Sequence, residues 1–396
     1  MNILFLTPRF PYPLIGGDRI KSYNLLTHLA EKHNVTLVTF YQGKKDIAPY
    51  ISHLESNGIE TFVLPLNGIK SGLSCLFRSY QFKPLEILFY FHSNFQKQVD
   101  ELIKNRKFDI SFAFFMRTAE YLKNHNIKKV LIAEDCRILY QNRSFLESKN
   151  LLQKAVRIYD HLALKAYEPK MMEYFDANTF VTNEDITYLN SIKPLNTYYL
   201  LTNGTDVNHF VPQDFEKRNI ILFTGKLDLW ANKMMMERII RNIYPEIKKK
   251  YPNLPLVIVG AKAPDYIKKL HKEKYLTLHE NVPDIAPYLQ QARLFLHPHL
   301  GASGIQNKLI EALSAGCPVV TTKSGNQGIN GEHRKHLLIG DSDSDIVNHS
   351  LELLSDENLS KTISENGRNL ILNKHSWERV FNDLDNLIIK LTQNGK

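Results

Sequence analysis

The chain is predicted to be an α/β protein built from two Rossmann-like parallel sheets in series. Three observations lead there. Short apolar runs of strand length alternate with amphipathic stretches of helical length over nearly the whole sequence, which is the pattern of parallel βαβ units. The alternation breaks at LLTNGTDVNHFVPQD and then restarts. Finally, a chain of 396 residues, at roughly 150 per domain, has room for two or three separate cores.

In the first half, strands are expected near residues 3–6, 35–40, 61–64, 110–115, 130–133 and 178–181. The first of them leads through Gly16 and Gly17 into a helix expected from about residue 18 to 33. In the second half, strands are expected near residues 220–224, 256–259, 294–297 and 319–322. The boundary is placed in residues 200–217, because Asn203-Gly204 is a turn pair and Pro212 stops regular structure. This gives domains of residues 1–200 and 201–376. Beyond them Trp377, Val380, Phe381, Leu384, Leu387 and Ile388 recur at helical spacing, so a terminal helix carries an apolar face that needs a surface. Two stretches depart from the alternation. Residues 68–95 combine many aromatics with Lys70, Arg78 and Lys83, which suits either a helix and loop packed on the first sheet or an interfacial, acceptor-covering segment. Residues 136–175 read as mostly helical and basic at their start.

Composition excludes several classes. With 43% hydrophobic and 23% charged residues, no window approaches the roughly 18 uninterrupted apolar residues of a membrane span. MNILFLTPRF has neither the basic start nor the small-residue cleavage site of a signal peptide, so a cytoplasmic location is expected. Cys75, Cys136 and Cys317 match no zinc or redox spacing and are read as reduced thiols. The net charge of +9 favours anionic partners: nucleotides, nucleic acid or an acidic membrane surface. No nucleic-acid-binding module is recognisable, so no nucleic-acid partner is expected.

The most informative stretch is SGIQNKLIEALSAGCPVVTT, residues 303–322. Ser303 followed by Gln306 has the spacing of a capping box, Gly304 allows close backbone approach, and Gly316 with Pro318 stops a helix before Val319. Residues 303–306 would then form an anion site of free N–H groups at a helix N-terminus, joined by the cation of Lys308. Glu311, about two turns from that cap, is placed to accept hydrogen bonds from a vicinal diol such as ribose. A nucleoside diphosphate satisfies both features. An ordinary capped helix with an exposed Lys and Glu fits the same residues. His297 and His299 bracket Pro298 without an evident third ligand, so no metal site is expected there.

These residues resemble the retaining glycosyltransferases of family four. In that family a Glu, seven residues and a second Glu stand in a context like EGFGLPLLEAMACGTPVV, which aligns with SGIQNKLIEALSAGCPVV here. Glu311 takes the place of the second, ribose-binding Glu, and Ser303 stands where the first should be. Asn203-Gly204 with Asp206 and Phe210, FTGKLD at residues 223–228, and VPDIAPYLQQARLFLHP resemble further family motifs at consistent separations. The N-terminal LTPRFPYPLIGG and the GIQNK segment are closest to a branch associated with exopolysaccharide and surface-glycan synthesis, in which the first Glu is often absent.

The resemblance implies the GT-B fold: two facing Rossmann-like domains, the first for the acceptor and the second for the nucleotide-sugar donor, with the helix of residues 377–396 returning to the first. It implies a hexosyltransferase-type enzyme that moves a sugar from a UDP- or GDP-linked donor to a glycan or lipid-linked glycan acceptor, with retention and without a metal or other cofactor. The donor would be bound by Gly16, Gly17, Gly225, Lys226, Ser303, Gly304, Ile305, Gln306, Asn307, Lys308 and Glu311. Lys226 takes the place of the family's diphosphate-binding Arg, with Lys308 or Lys233 as a second cation. Many members carry a His after an N-terminal strand. Here residues 114–117 are Phe-Phe-Met-Arg, and Glu134 and Asp135 follow the next strand, so Asp135 is the substitute catalytic and acceptor-side residue, with Arg9 also on the acceptor side. A polyprenyl-linked acceptor, which the resemblance implies as the alternative to a free glycan, and the +9 charge suit peripheral contact with the inner face of an anionic membrane. The alternatives are a GT-B nucleotide-sugar epimerase and a catalytically silent nucleotide-sugar-binding protein.

Overall fold

The computed structural model describes residues 1–14, 16–43, 45–139, 151–301 and 304–393. The chain divides into two compact units, Met1–Leu201 joined by the chain from Phe381 onward, and Thr202–Val380.

The first unit is built on seven parallel strands: β1 (Asn2–Thr7), β2 (Asn34–Tyr41), β3 (Ile59–Pro65), β4 (Ile110–Phe114), β5 (Lys129–Glu134), β6 (Ala177–Phe180) and β7 (Tyr198–Leu200). Their order across the sheet is β3-β2-β1-β4-β5-β6-β7. β1 and β4 are buried over almost their whole length, as expected of strands covered on both faces. The first helix, Gly17–Ala30, is shorter than the sequence suggested and turns Lys21, Ser22, Leu25, Leu26 and Leu29 inward. Residues 68–95 form a helix Gly68–Arg78, a turn of 3₁₀ helix and a helix Leu85–Tyr90. Tyr90 and Phe95 enter the core, while Ile69, Leu76, Phe77 and Tyr80 stay exposed. The terminal helix Trp377–Gln393 buries Val380, Leu384 and Ile388, and within this unit Phe381 stacks on the His28 ring at 4.2 Å while Asp385 meets His28 at 2.9 Å.

The second unit has six parallel strands: β8 (Ile220–Lys226), β9 (Leu256–Ala261), β10 (Thr277–Glu280), β11 (Ala292–His297), β12 (Val319–Thr321) and β13 (Leu338–Ile339), in the order β10-β9-β8-β11-β12-β13. The segment expected as a linker is tied into this unit. Gly204 lies where a β-carbon would sit 2.5 Å from the Trp377 ring, and Arg368 donates to the carbonyls of Val207, Phe210 and Ser314.

β7, β10 and β13 were not anticipated. Each is a short edge or near-edge strand, and TLHE in β10 lacks the apolar run that marks a central strand. No helix among the described residues is long and apolar enough to cross a membrane.

Candidate functional site

Each sheet has one place where its winding reverses, between β1 and β4 in the first unit and between β8 and β11 in the second. Chains leaving the carboxyl ends of two such strands turn to opposite faces and open a crevice, the usual ligand site of an open α/β sheet.

At the second crevice β8 ends in Gly225 and Lys226, and β11 ends in His297. Gly225 has φ +153°, and a β-carbon there would lie 2.9 Å from Asn232 Nδ2 and 3.0 Å from Lys308 Nζ. Glycine is therefore what lets two polar side chains close over the strand end. Asn232 Nδ2 donates to the Lys226 carbonyl at 2.8 Å, and its Oδ1 accepts from Lys308 Nζ. The ammonium of Lys308 also lies 5.2 Å from the centre of the Phe223 ring. Burial lowers the Lys308 pKa to about 8 against the opposing pull of Glu311. Glu311, one turn along the same helix face, is raised by burial to about 7, with Lys308 and His209 opposing.

His297 is fully buried. Its Nδ1 lies 3.0 Å from Thr321 Oγ1, and that hydroxyl donates its own proton to the His297 carbonyl at 3.0 Å. With its proton on that carbonyl, the hydroxyl accepts from Nδ1, the arrangement that puts the ring proton on Nδ1 and a lone pair on Nε2. Nε2 is buried and has no hydrogen-bond partner among the described residues. Burial, then Lys308 and His299, hold the ring pKa well below its ordinary value. Gly325 makes room for this pair, since a β-carbon there would meet Thr321 Oγ1 at 2.2 Å.

The helix after β11 runs Asn307–Ser314 with Gln306 as N-cap and no side-chain capping bond. This corrects the capping box expected of Ser303 and Gln306. Gly304 adopts φ +75°, a left-handed conformation that a first helical turn does not accept, so the helix begins after it. Ser303 itself lies outside the described residues. Glu311 is consequently one turn from the helix start, not two, and the N–H groups of the first turn open beside Asn307, whose Oδ1 accepts from Asn203 Nδ2 at 2.8 Å. Gly304 and Ile305, just before this turn, are buried.

Of the expected donor residues, Gly225, Lys308 and Glu311 thus meet at one crevice, with residues 304–307 at the start of the helix that bears the last two. Lys226 contributes its carbonyl to that cluster, whereas its ammonium is half exposed and lies 3.9 Å from Asp228. Lys233 is exposed. Asn232 was missed, although a lone Asn three residues before the buried Met235 is a legible signal of an inward polar group.

In the first unit, Gly16 caps the first helix with φ +103°, Gly17 begins it, and Arg9 pairs with Asp18 at 3.1 Å. Asp135 follows β5, one strand beyond the crevice, and burial raises its pKa while Arg137 and Lys21 oppose the rise. A bulge in β5 between Ile132 and Glu134 gives Glu134 φ +72° and turns its carboxylate onto Lys21 at 2.6 Å. Lys21, almost fully buried, also donates to the Leu201 carbonyl at 2.9 Å. Sequence reasoning missed Lys21, which stands in register with Leu25 and Leu29 on the inward face of its helix. Among the described residues no group of three His, Cys, Asp or Glu side chains is placed to hold a metal ion.

Residues 218–356 match the family model for glycosyl transferases group 1. Residues 218–356 are thus similar to a group 1 glycosyltransferase domain, and the two Rossmann-like parallel-sheet units have the GT-B fold. Among particular proteins, the chain is 23% identical over 335 residues to a subunit of human phosphatidylinositol N-acetylglucosaminyltransferase, covering 82% of this chain and 62% of the human one. The chain spans about three fifths of the length of the curated relatives it matches. Among solved structures, it is similar to sucrose-phosphate synthase from Thermosynechococcus elongatus, with a TM-score of 0.72, 14% identity and full coverage of both chains. It is also similar to Anabaena HepE, solved with UDP and glucose, with a TM-score of 0.69, 13% identity and coverage of 98% of this chain and 100% of the other.

Proposed function

We propose that the chain transfers a hexose-type sugar from a UDP- or GDP-linked donor to a glycan or lipid-linked glycan acceptor in surface-polysaccharide synthesis, with retention at the anomeric carbon. The observation that carries this is the placement of Lys308 and Glu311 on one helix face at the reversal point of the second sheet. Glu311 accepts from the ribose hydroxyls, and the helix start with Lys308 takes the diphosphate. The complex of HepE with UDP and glucose supports a nucleotide-sugar donor.

The reaction breaks the bond from the anomeric carbon to the diphosphate oxygen and forms one to an acceptor oxygen, whose proton leaves. Negative charge builds on the departing diphosphate, and preorganised cations lower its energy most. This reading gives that work to Lys308 and Lys226 and needs no metal. His297 Nε2, a buried acceptor, takes a hydrogen bond from a donor hydroxyl. Asp135, raised by burial, serves the acceptor side by orienting a hydroxyl or receiving its proton. Charge of +9 and the exposed apolar face of residues 69–82 support work at an anionic membrane surface.

The test is a thermal-shift series of the wild type and Glu311→Ala against UDP, GDP, ADP and CMP. A ligand at 100 times its Kd adds about 2.7 kcal/mol of apparent stability. A shift with UDP or GDP, lost in the variant, is expected. No shift with any nucleotide in folded protein overturns the reading.

A further inference from the structure

The second unit holds a cavity of about 440 Å³, within the size range of small-molecule sites, between the segment of residues 212–218, Gly316 and the helix Glu357–Lys374. Arg218 stands just before β8 and Gly316 just before β12, so the cavity lies at the amino ends of these parallel strands. Gly225 and His297, at the carboxyl ends of β8 and β11, mark the crevice at the opposite end of the sheet. Nothing in the proposed transfer uses this second place.

Two arginines in its wall meet no carboxylate among the described residues. Arg218, 5% exposed, donates to the carbonyls of Ala292 at 3.1 Å and Ala315 at 2.9 Å and also meets the Cys317 thiol. Arg368 donates to the carbonyls of Val207 and Phe210 at 3.3 and 2.9 Å and to that of Ser314. Carbonyls occupy part of the five N–H groups of each guanidinium and leave its charge unmatched. Burial lowers the Arg368 pKa. Arg218 Nε is buried without a hydrogen-bond partner, and so is the hydroxyl of Ser364, which also lines the cavity.

Phe215 gathers further positive charge. Arg293, Lys361 and Arg218 lie 4.2, 5.6 and 5.9 Å from the centre of its ring. The acids of the wall are exposed, and two of them are already taken, Glu216 by Lys361 at 2.8 Å and Asp214 by Lys217 at 2.6 Å. Two unmatched guanidiniums and an unpartnered hydroxyl, on separate elements, form a donor set for the several oxygens of a phosphate.

The same arginines hold the carboxyl end of the helix Asn307–Ser314, through the carbonyls of Ser314 and Ala315. That helix bears Lys308 and Glu311. Its carboxyl end carries about half a unit of negative charge, so two guanidiniums outweigh it and still attract an anion.

We infer that this cavity binds a small phosphate monoester as an effector, its phosphate held by Arg218, Arg368 and the Ser364 hydroxyl, and that this steadies the donor helix from the end opposite Lys308. The phosphate uses N–H groups that the carbonyls leave over, so both helix-end bonds persist and gain a counter-charge. Donor and effector therefore bind more tightly together than apart, and the coupling is reciprocal. The coupling rests on the proposed donor site, whereas the anion site stands without it.

Glycerol 3-phosphate, glycerol and malate are titrated by calorimetry into the full chain saturated with UDP, so that no phosphate is counted at the donor crevice. Glycerol 3-phosphate is expected to bind at least tenfold more tightly than glycerol or malate and, in the reverse titration, to tighten UDP at least threefold. Ser364→Asp supplies a fixed anion and should abolish glycerol 3-phosphate binding while it leaves UDP as tight as the effector does. Gln213→Glu, an exposed change in the wall, should weaken glycerol 3-phosphate at least threefold with Tm unchanged, and it decides the matter if Ser364→Asp does not fold. Glycerol 3-phosphate bound no more tightly than glycerol or malate, or indifferent to both variants, overturns the site, and UDP affinity indifferent to bound glycerol 3-phosphate overturns the effector role. Failure of UDP to bind while glycerol 3-phosphate binds and Ser364→Asp abolishes it overturns the donor reading instead, so the two failures are distinguishable.

Discussion

The ammonium of Lys308 is held by the side-chain oxygen of Asn232, 76 positions earlier in the chain, beside Gly225, the penultimate residue of β8. Asn232 in turn binds the Lys226 carbonyl, so one amide ties the strand end to the helix that carries Glu311. Asn232→Ala removes both bonds and leaves the ammonium partly buried without its partner, a loss of about 1–3 kcal/mol. Tm should fall, and UDP affinity measured by calorimetry should fall at least tenfold. Unchanged UDP affinity would show that Lys308 does not need its tether.

Gly225→Ala brings a methyl group against Asn232 and Lys308 at a φ that side chains avoid. Strain of this kind costs about 1–3 kcal/mol. The expected result is a lower Tm together with loss of the UDP-induced shift; a variant with both intact would remove the reason given for this glycine.

The titration of Lys308 and Glu311 gives a pH dependence of definite sign. Glu311 becomes a carboxylate as pH rises through about 7, and Lys308 loses its proton as pH rises through about 8. Both charged forms coexist best between these values, so UDP affinity should peak there and fall on either side. Glu311→Gln should flatten the acid limb while it weakens binding. An affinity that is level from pH 6 to 9 would contradict the assignment.

His297 should remain neutral as the Nδ1–H tautomer throughout the range in which ordinary histidines titrate. Nitrogen chemical shifts of the labelled ring report this directly. A ring that gains a proton near pH 6.5 would mean that Nε2 is not a lone-pair acceptor.

Lys21 and Glu134 form a buried pair in the first unit. Lys21→Met leaves Glu134 buried without its cation, and breaking such a pair from one side costs about 3–5 kcal/mol. Adding Glu134→Leu should restore much of the lost Tm. A single variant as stable as the wild type would place the pair in a wetter setting than the structure shows.

The alternation of strand and helix was legible because central parallel strands such as β1 and β4 are buried on both faces and must be written in unbroken apolar residues. β10 and β13 escape the same reading because an edge strand needs neither length nor apolarity. The chemistry of the Asn307–Ser314 helix was legible from Lys308 and Glu311, whose spacing puts them on one face. Its start was not, since S-x-x-Q fits a capping box on paper, whereas the backbone turns left-handed at Gly304. Asn232 and Lys21 matter through partners distant in sequence, and a single polar residue in an apolar register marks such a group without saying what it meets.

Gly260 on β9 sits beside Gly225 so closely that a β-carbon there would lie 1.8 Å from the Gly225 carbonyl oxygen. The obstacle is main chain, which every residue type shares, so no change at position 225 can relieve it. Among descendants of a common ancestor, position 260 should then be frozen by itself rather than drift in step with a partner. Its invariance would record the spacing of two strands, while that of Gly225 would record the lysine and the asparagine closed over it.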